Sequence, residues 1–417
     1  MTSFFVDSSE ISSGADLTPI RARFRAILDA IAEGARDRDE SRELPRDGIR
    51  ALAEAGFGAL RVPKKYGGYG VSLPQLVELL ADLAAADPNL PQALRGHFAL
   101  VEDRLNAHAA SDQSTWFRRF VNGELAGNAW TEIGEVKVGD VNTKVSAGPD
   151  GLVVNGTKYY STGSIFADWL DVYAQRLDTG ETVIAIVNTH QSGVTLLDDW
   201  DGFGQRTTGS GTTVLENARV DAEAVSAFAD RFRYQTAFYQ VVLLATLAGI
   251  AENAVTEFAG EAQRRKRVFS HGASPEWNQD PLVQSVVGIA GSQAFAARAT
   301  AVRAAEASQD AYLGHFVADA DAEEEANIRA ELDSARGQVV ITSLAQSATS
   351  ALFDALGASG TSAAKRLDRH WRNARTVSSH NPVVFKQRII GDWEINQTVP
   401  PYVWAIGAAV QVAAAAS

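Results

Sequence analysis

Lys158-Tyr159-Tyr160-Ser161-Thr162-Gly163-Ser164-Ile165-Phe166-Ala167-Asp168-Trp169 is the stretch whose reading decides the fold. Four successive hydroxyl-bearing residues run into a glycine turn and then a short apolar run, which predicts a strand opening into a loop. Such an element can bond the polar edge of a flat cofactor with its hydroxyls and pack the face with its rings. It lies inside a β-rich island, from about residue 125 to 220, between two long helical regions.

Within the island, Val, Ile, Thr and Tyr runs alternate with turn pairs, Asp150-Gly151 and Asn155-Gly156 being the strongest. The predicted strands are Asn128–Glu132, Leu152–Val154, Lys158–Ser161, Trp169–Arg176, Thr182–Val187, Gly193–Leu197 and Thr212–Val220. Their short, regular spacing suits a small antiparallel barrel or sandwich. Upstream, residues 18–122 read as helical. Thr18 with Pro19 predicts a capped start, and Ile20, Phe24, Ile27, Leu28 and Ile31 share one face. Ser72 and Gln75 form a capping box ahead of the stripe Leu76, Leu79, Leu80 and Leu83. The Gly- and Tyr-rich stretch Val62–Val71 reads as a connecting loop. Downstream, periodic segments near 228–268, 280–311 and 323–355 suit a helix bundle, and the acidic run Asp319–Glu325 reads as a solvated loop between helices. The expected organisation is α+β in three parts: a helical domain over 1–124, a β domain over 125–222 and a helix bundle over 223–417.

Composition sets the outer limits. A chain of 417 residues that is 46% hydrophobic can bury more than one core. No apolar run in the sequence reads as a membrane span, and the first residues, MTSFFVDSSEISSGADL, lack the basic and apolar blocks of a signal peptide. Cysteine is absent, which removes disulfides and thiolate metal sites and fits a cytoplasmic setting. A net charge of −13 argues against a broad nucleic-acid surface.

Unaided chemistry finds little support. The sequence has no H-E-x-x-H, no P-loop and no G-x-S-x-G elbow, and its histidines never pair at metal-ligand spacing. Gly202-Phe203-Gly204 matches half a dinucleotide fingerprint but lacks the βαβ context. A bound organic cofactor at the junction of sheet and helices is the better expectation.

Four stretches then carry a family resemblance: Arg95-Gly96-His97-Phe98, Gly127 through Gly134, Lys158 through Trp169, and His370-Trp371-Arg372-Asn373-Ala374-Arg375 through His380-Asn381-Pro382. With the three-part order they resemble the acyl-CoA dehydrogenase fold, and within it the flavin-dependent monooxygenase branch and its desulfurising members. The resemblance implies a two-component enzyme. Reduced FMN would come from a separate NAD(P)H-dependent flavin reductase and react with O2 to a C4a-hydroperoxide that oxygenates a small organosulfur or aromatic substrate. It also implies a homotetramer.

Residue by residue, the resemblance puts Asn128, Ala129, Trp130, Thr131, Glu132 and Ile133 along the flavin and makes Glu135–Val145 a lid. It places Lys158, Tyr159, Tyr160 and Ser161 against the ring, with Ser161 near the reactive nitrogen. It gives the flavin phosphate to Arg267, out of the cluster Arg264-Arg265-Lys266-Arg267, with Ala358 and Ser359. His97 and His380 would manage protons, His380 at the flavin itself. The common acyl-CoA dehydrogenases carry a catalytic glutamate near that point, whereas Ser378-Ser379-His380-Asn381-Pro382 holds no carboxylate. Asp168 and Trp169 are expected to be structural. Trp116, Trp130 and Phe166 are candidates for an aromatic pocket, and Val101 replaces a tyrosine of the desulfurising members. Two other readings stay open: an acyl-CoA dehydrogenase using FAD, and a non-catalytic scaffold of the same fold.

Overall fold

A computed structural model describes residues 14–133, 141–317 and 319–403. The N-terminal residues through 13, including most of the stretch read against a signal peptide, lie outside the described residues. So do 135–140, the first part of the expected lid.

The described residues begin with six α-helices: α1 (Leu17–Ser41), α2 (Arg46–Glu54), α3 (Leu73–Ala86), α4 (Asn89–Ala93), α5 (Arg95–Ala107) and α6 (Ser114–Val121). Asp16, rather than Thr18, caps α1, its carboxylate accepting from Thr18 N at 2.9 Å. The capping box of α3 forms as expected: Ser72 Oγ accepts from Gln75 N, and Gln75 Oε1 accepts from Ser72 N at 3.0 Å. Such a cap contributes about 1 kcal/mol.

Eight strands follow: β1 (Ala126–Ala129), β2 (Lys144–Gly148), β3 (Gly151–Lys158), β4 (Trp169–Arg176), β5 (Thr182–Asn188), β6 (Val194–Leu196), β7 (Thr213–Val220) and β8 (Val225–Ala227). They form one sheet in the order β6-β7-β3-β2-β4-β5-β8, with β1 beside β4. The sheet is mixed rather than wholly antiparallel. One edge of β4 is shared between β1, parallel along Trp169–Val172, and β2, parallel at Gln175 and Arg176. Asn155-Gly156 does not turn the chain. It bulges inside β3, where the register against β7 shifts between Val154 and Gly156. A Cβ at Gly156 would meet Thr143 Oγ1 at 2.3 Å, so the bulge brings two backbones too close for any side chain. Lys144 and Val145, expected at the end of a lid, belong to β2.

Five more helices follow among the described residues: α7 (Gln235–Arg264), α8 (Pro281–Gly314), α9 (Ala320–Ala351), α10 (Asp368–Ser378) and α11 (Val383–Asn396). The acidic run is no loop. Asp319 caps α9, and Asp321 and Glu323 occupy its first turn, where carboxylates meet the positive end of the helix dipole. By length and composition α7 could cross a membrane, a possibility that inspection of the apolar runs missed, but its apolar window is largely buried inside the bundle. A helix apolar on all sides is a core helix when other helices surround it.

One core joins both helical regions, running from Ile20 and Phe24 of α1 through Phe98 of α5 to Leu244 of α7 and Tyr312 of α8. Strand β5 divides its faces by alternation: Ile184 and Ile186 enter this shared core, while Val183, Ala185 and Val187 enter a separate core of the sheet. A buried ion pair fastens the helices together. Arg61 bonds both oxygens of Glu102, at 3.0 and 2.9 Å, and Glu102 also accepts from the Tyr234 hydroxyl at 2.6 Å.

Candidate functional site

The motif at the start of α5 is built for close approach. A Cβ at Gly96 would lie 2.9 Å from Asn128 N and 3.0 Å from Asn128 Oδ1, so only glycine lets α5 press against β1. A Cβ at Gly127 would stand 2.5 Å from Ser164 Cα, and one at Gly163 (φ +77°) 1.9 Å from Ala93 O. Three glycines therefore draw α4, α5, β1 and the Ser161–Ser164 turn onto one another.

The turn is propped from below. Ser161 N donates to Gly211 O at 2.9 Å, Gly163 N to Thr208 O at 3.1 Å, and the Thr162 and Ser210 hydroxyls are 2.8 Å apart. Tyr160 sits in the left-handed region at φ +55°, a strained setting for a bulky residue. Its ring is exposed and stands edge-on to Trp200. Ser161 Oγ and Asn128 Oδ1 are buried and have no hydrogen-bond partner among the described residues. Orphaned buried polar atoms are costly and call for a partner. A hydroxyl and an amide oxygen suit the mixed donor and acceptor edge of a flavin ring.

His380 closes the junction from the α10–α11 connection. Its Nε2 lies 3.1 Å from Arg95 Nη2. A guanidinium can only donate, so Nε2 accepts and the proton sits on Nδ1. Crowding of the ring by protein, and then the Arg95 charge, pull the pKa of His380 well below the ordinary histidine range. The residue as a whole is exposed, and the contact with the Arg95 guanidinium by itself disfavours a second proton on the ring. Asn381 Nδ2 bonds Gln240 Oε1 at 3.0 Å and fixes the segment to α7. Beneath Arg95 lies the ring of Tyr239, 4.9 Å away. Tyr239 packs against Trp130, whose Nε1 donates to Asp171 at 3.0 Å beside the buried Arg231–Asp171 pair.

Several expected site residues are committed elsewhere. His97 has both ring nitrogens on backbone: Nδ1 accepts from Ala126 N at 3.2 Å and Nε2 donates to Gly58 O at 2.8 Å. Burial pulls its pKa down to about 4. It is a neutral bridge between α5, β1 and the 57–59 turn, with no free nitrogen for a proton relay. Lys158 and Glu132 face each other rather than a cofactor, Nζ to Oε1 at 2.7 Å. Glu132 further accepts from Asn142 N, Thr143 N and the Thr143 hydroxyl. Burial opposes its ionisation, but these donors outweigh it and lower its pKa. Burial also lowers the pKa of the Lys158 ammonium; with the carboxylate in contact, we take the pair as ionised.

The side chain of Ala129 lies in the sheet core, Ile133 is exposed, and Thr131 pairs with Tyr159 through backbone. Asp168 and Trp169 hold Leu125 N and Glu124. The aromatic candidates do not meet: Trp116 packs on Trp169, Phe166 lies under Arg46, and only Trp130 reaches the junction. Val101 lies in the shared helical core.

The phosphate candidates do come together, but elsewhere. Arg265 donates to Leu356 O and to Ser359 Oγ, which joins the basic cluster to the Gly357–Gly360 turn, and its guanidinium stacks on Trp277. Arg267 and Ala358 are exposed beside them. This cluster stands at the far end of α7 from Tyr239. With 1.5 Å of rise per residue, Tyr239 and Arg264 at the other end of the helix are about 38 Å apart, far beyond the reach of one flavin. The residues that sequence reasoning passed over are Arg95, Tyr239 and Asn381. Arg95 lay inside a quoted motif, where a basic residue next to a glycine–histidine pair was the available signal.

Two family models match the two helical parts: "Acyl-CoA dehydrogenase, N-terminal domain" over residues 15–124 and "Acyl-CoA dehydrogenase, C-terminal domain" over 241–385. The chain belongs to the acyl-CoA dehydrogenase fold family. Among curated relatives of this family member, a dibenzothiophene monooxygenase of Rhodococcus erythropolis is 28% identical, over 89% of this chain and 94% of its own length. A probable FMNH2-dependent monooxygenase, SfnC of Pseudomonas putida, is 25% identical over 92% and 96%. Among solved structures, FMN-bound TdsC from Paenibacillus sp. A11-2 superposes with a TM-score of 0.82 at 27% identity, covering 91% of this chain and 98% of TdsC.

Proposed function

We propose that this chain is the oxygenase of a two-component flavin-dependent monooxygenase. It takes reduced FMN from a separate NAD(P)H-dependent reductase and oxygenates a small organic substrate with O2. The observation that carries the reading is the two buried atoms Ser161 Oγ and Asn128 Oδ1, partnerless among the described residues, with Arg95 linking that junction to a histidine where dehydrogenases of this fold need a carboxylate. The FMN of TdsC and the FMNH2 dependence ascribed to SfnC support the choice of cofactor.

Reduced FMN, when bound, supplies the electrons that split O2, one oxygen going to the substrate and the other to water. Ser161 Oγ and Asn128 Oδ1 hold the polar edge of the ring. Tyr160, with Trp200, stands at the mouth. His380, neutral with its proton on Nδ1, would donate a hydrogen bond from Nδ1 at the junction and hold a developing negative oxygen there without itself losing the proton. Arg267, Ala358 and Ser359 grip the phosphate of a flavin bound by a second copy of the chain, because their own junction is too far away. That arrangement needs at least a dimer and suits a homotetramer. Dependence on NAD(P)H supply suits a cytoplasmic enzyme.

The test is anaerobic mixing with reduced FMN followed by oxygenated buffer, with flavin absorbance followed in time. The expected result is flavin reoxidation kinetically distinct from that of free flavin, together with substrate-dependent O2 uptake. Reoxidation at the free-flavin rate, or bleaching of bound FAD by an acyl-CoA thioester without O2 uptake, would overturn the reading.

A further inference from the structure

Among the described residues, five arginines are buried: Arg61, Arg95, Arg104, Arg231 and Arg369. Four face carboxylates: Arg61 faces Glu102, Arg104 faces Asp103, Arg231 faces Asp171 and Arg369 faces Glu257. Among the described residues Arg95 faces no carboxylate. Its Nη2 meets a neutral imidazole, its face lies over the Tyr239 ring, and its Nε has no partner. Burial pushes the Tyr239 hydroxyl up to about 12, so it supplies no negative charge, and Asp171 is already taken by Arg231.

An isolated buried charge is strongly unfavourable, and folded proteins pair it. Arg95 is also not isolated from the reaction site. It directly precedes Gly96, which touches Asn128, and it bonds His380. A guanidinium presents a planar fork of donors that matches an oxyanion with two oxygens.

We propose that Arg95 recognises the substrate, and that the substrate carries a small oxyanion group of the carboxylate or sulfinate type that pairs with this guanidinium at the flavin junction. This rests on the reading of the junction as an FMN site. The competing occupant is the flavin itself, and the experiment separates the two.

Binding is measured by calorimetry on the full-length protein, with and without FMN, using two near-isosteric pairs: benzoate against benzamide, and methanesulfinate against dimethyl sulfoxide. FMN affinity is measured separately by fluorescence quenching. The expected result is that at least one anion binds tenfold or more tighter than its neutral partner. Arg95→Met should abolish that preference, Arg95→Lys should retain part of it, and FMN affinity should change less than about threefold in both. Arg95→Met should also melt higher than wild type, since it removes a charge without a counter-charge. Equal binding of anion and neutral partner by wild type overturns the proposal. So does an Arg95→Met variant that keeps the preference but loses FMN affinity, which would give Arg95 to the flavin. Failure of wild type to bind FMN while still preferring the anions would instead overturn the FMN reading and leave the Arg95 site standing.

Discussion

His97 and His380 look alike in sequence: each lies in a family motif beside a small or polar neighbour. Their surroundings separate them. His97 is locked by two backbone groups into one neutral tautomer, and protonation would set an N–H against the Ala126 N–H. His380 meets a guanidinium on one side and solvent on the other. No local pattern distinguishes these settings, because the partners of His97 lie 39 and 29 residues away. Since the pKa of His97 is depressed to about 4, the unfolded chain binds its proton first. Its stabilising contribution is therefore complete above the ordinary histidine pKa near 6.5 and is lost as pH falls from there towards 4. The loss at pH 5 is on the order of 2 kcal/mol. His97→Gln, which can still bridge the two backbone groups, should be less sensitive between pH 7 and pH 5. Urea denaturation at both values checks this, and an undiminished pH dependence in the variant would exclude His97 as its source.

At the scale of elements, the sequence was most readable where one rule dominated. Strand Trp169–Arg176 was predicted to the residue because β-formers (Trp169, Leu170, Val172, Tyr173) dominate it, with the polar pair Gln175-Arg176 at its end. The three long helices of the bundle were found within a few residues at most ends. Signals went astray where the same residues serve two geometries. Asn155-Gly156 marks a turn or a bulge, and the neighbouring strand β7 decides which. An acidic run suits a loop or the first turn of a helix, and here the helix takes it. Strands β2 and β8 escaped notice because β2 is polar and glycine-ended and β8 is three residues long. The Lys158–Glu132 pair ties the end of β3 to the segment entering β2. Glu132→Gln leaves a buried ammonium without its counter-charge and should cost about 3–5 kcal/mol. Replacing both partners, Glu132→Leu with Lys158→Met, should recover most of that loss. Chemical denaturation of the single and double variants measures it, and an additive loss in the double variant would refute the pairing.

At the scale of the molecule, the three-part order was legible, but the sharing of cores was not. Contacts between residues hundreds of positions apart leave no local trace: Gln309 of α8 bonds the backbone of Leu73 at 2.8 Å. The separation along α7 was equally hidden, and it sets the oligomer test. Arg267→Ala should weaken FMN binding about tenfold or more while leaving the melting temperature nearly unchanged. Unfolding and refolding it together with a variant whose junction is blocked, Ser161→Leu, should regenerate some intact sites in mixed oligomers. Fluorescence titration of FMN reads both, and a mixture no better than its parents would place each flavin within one chain.

The shared helical core also means that chain continuity is not what holds the two helical regions together. The exposed turn Asp178-Thr179-Gly180, in the middle of the chain, joins β4 to β5. A protease that nicks the backbone there severs neither the shared core nor the Arg61–Glu102–Tyr234 knot. The two fragments should co-elute as a single particle on gel filtration and separate only in denaturant, so the protein is expected to survive as a non-covalent complex of its own halves.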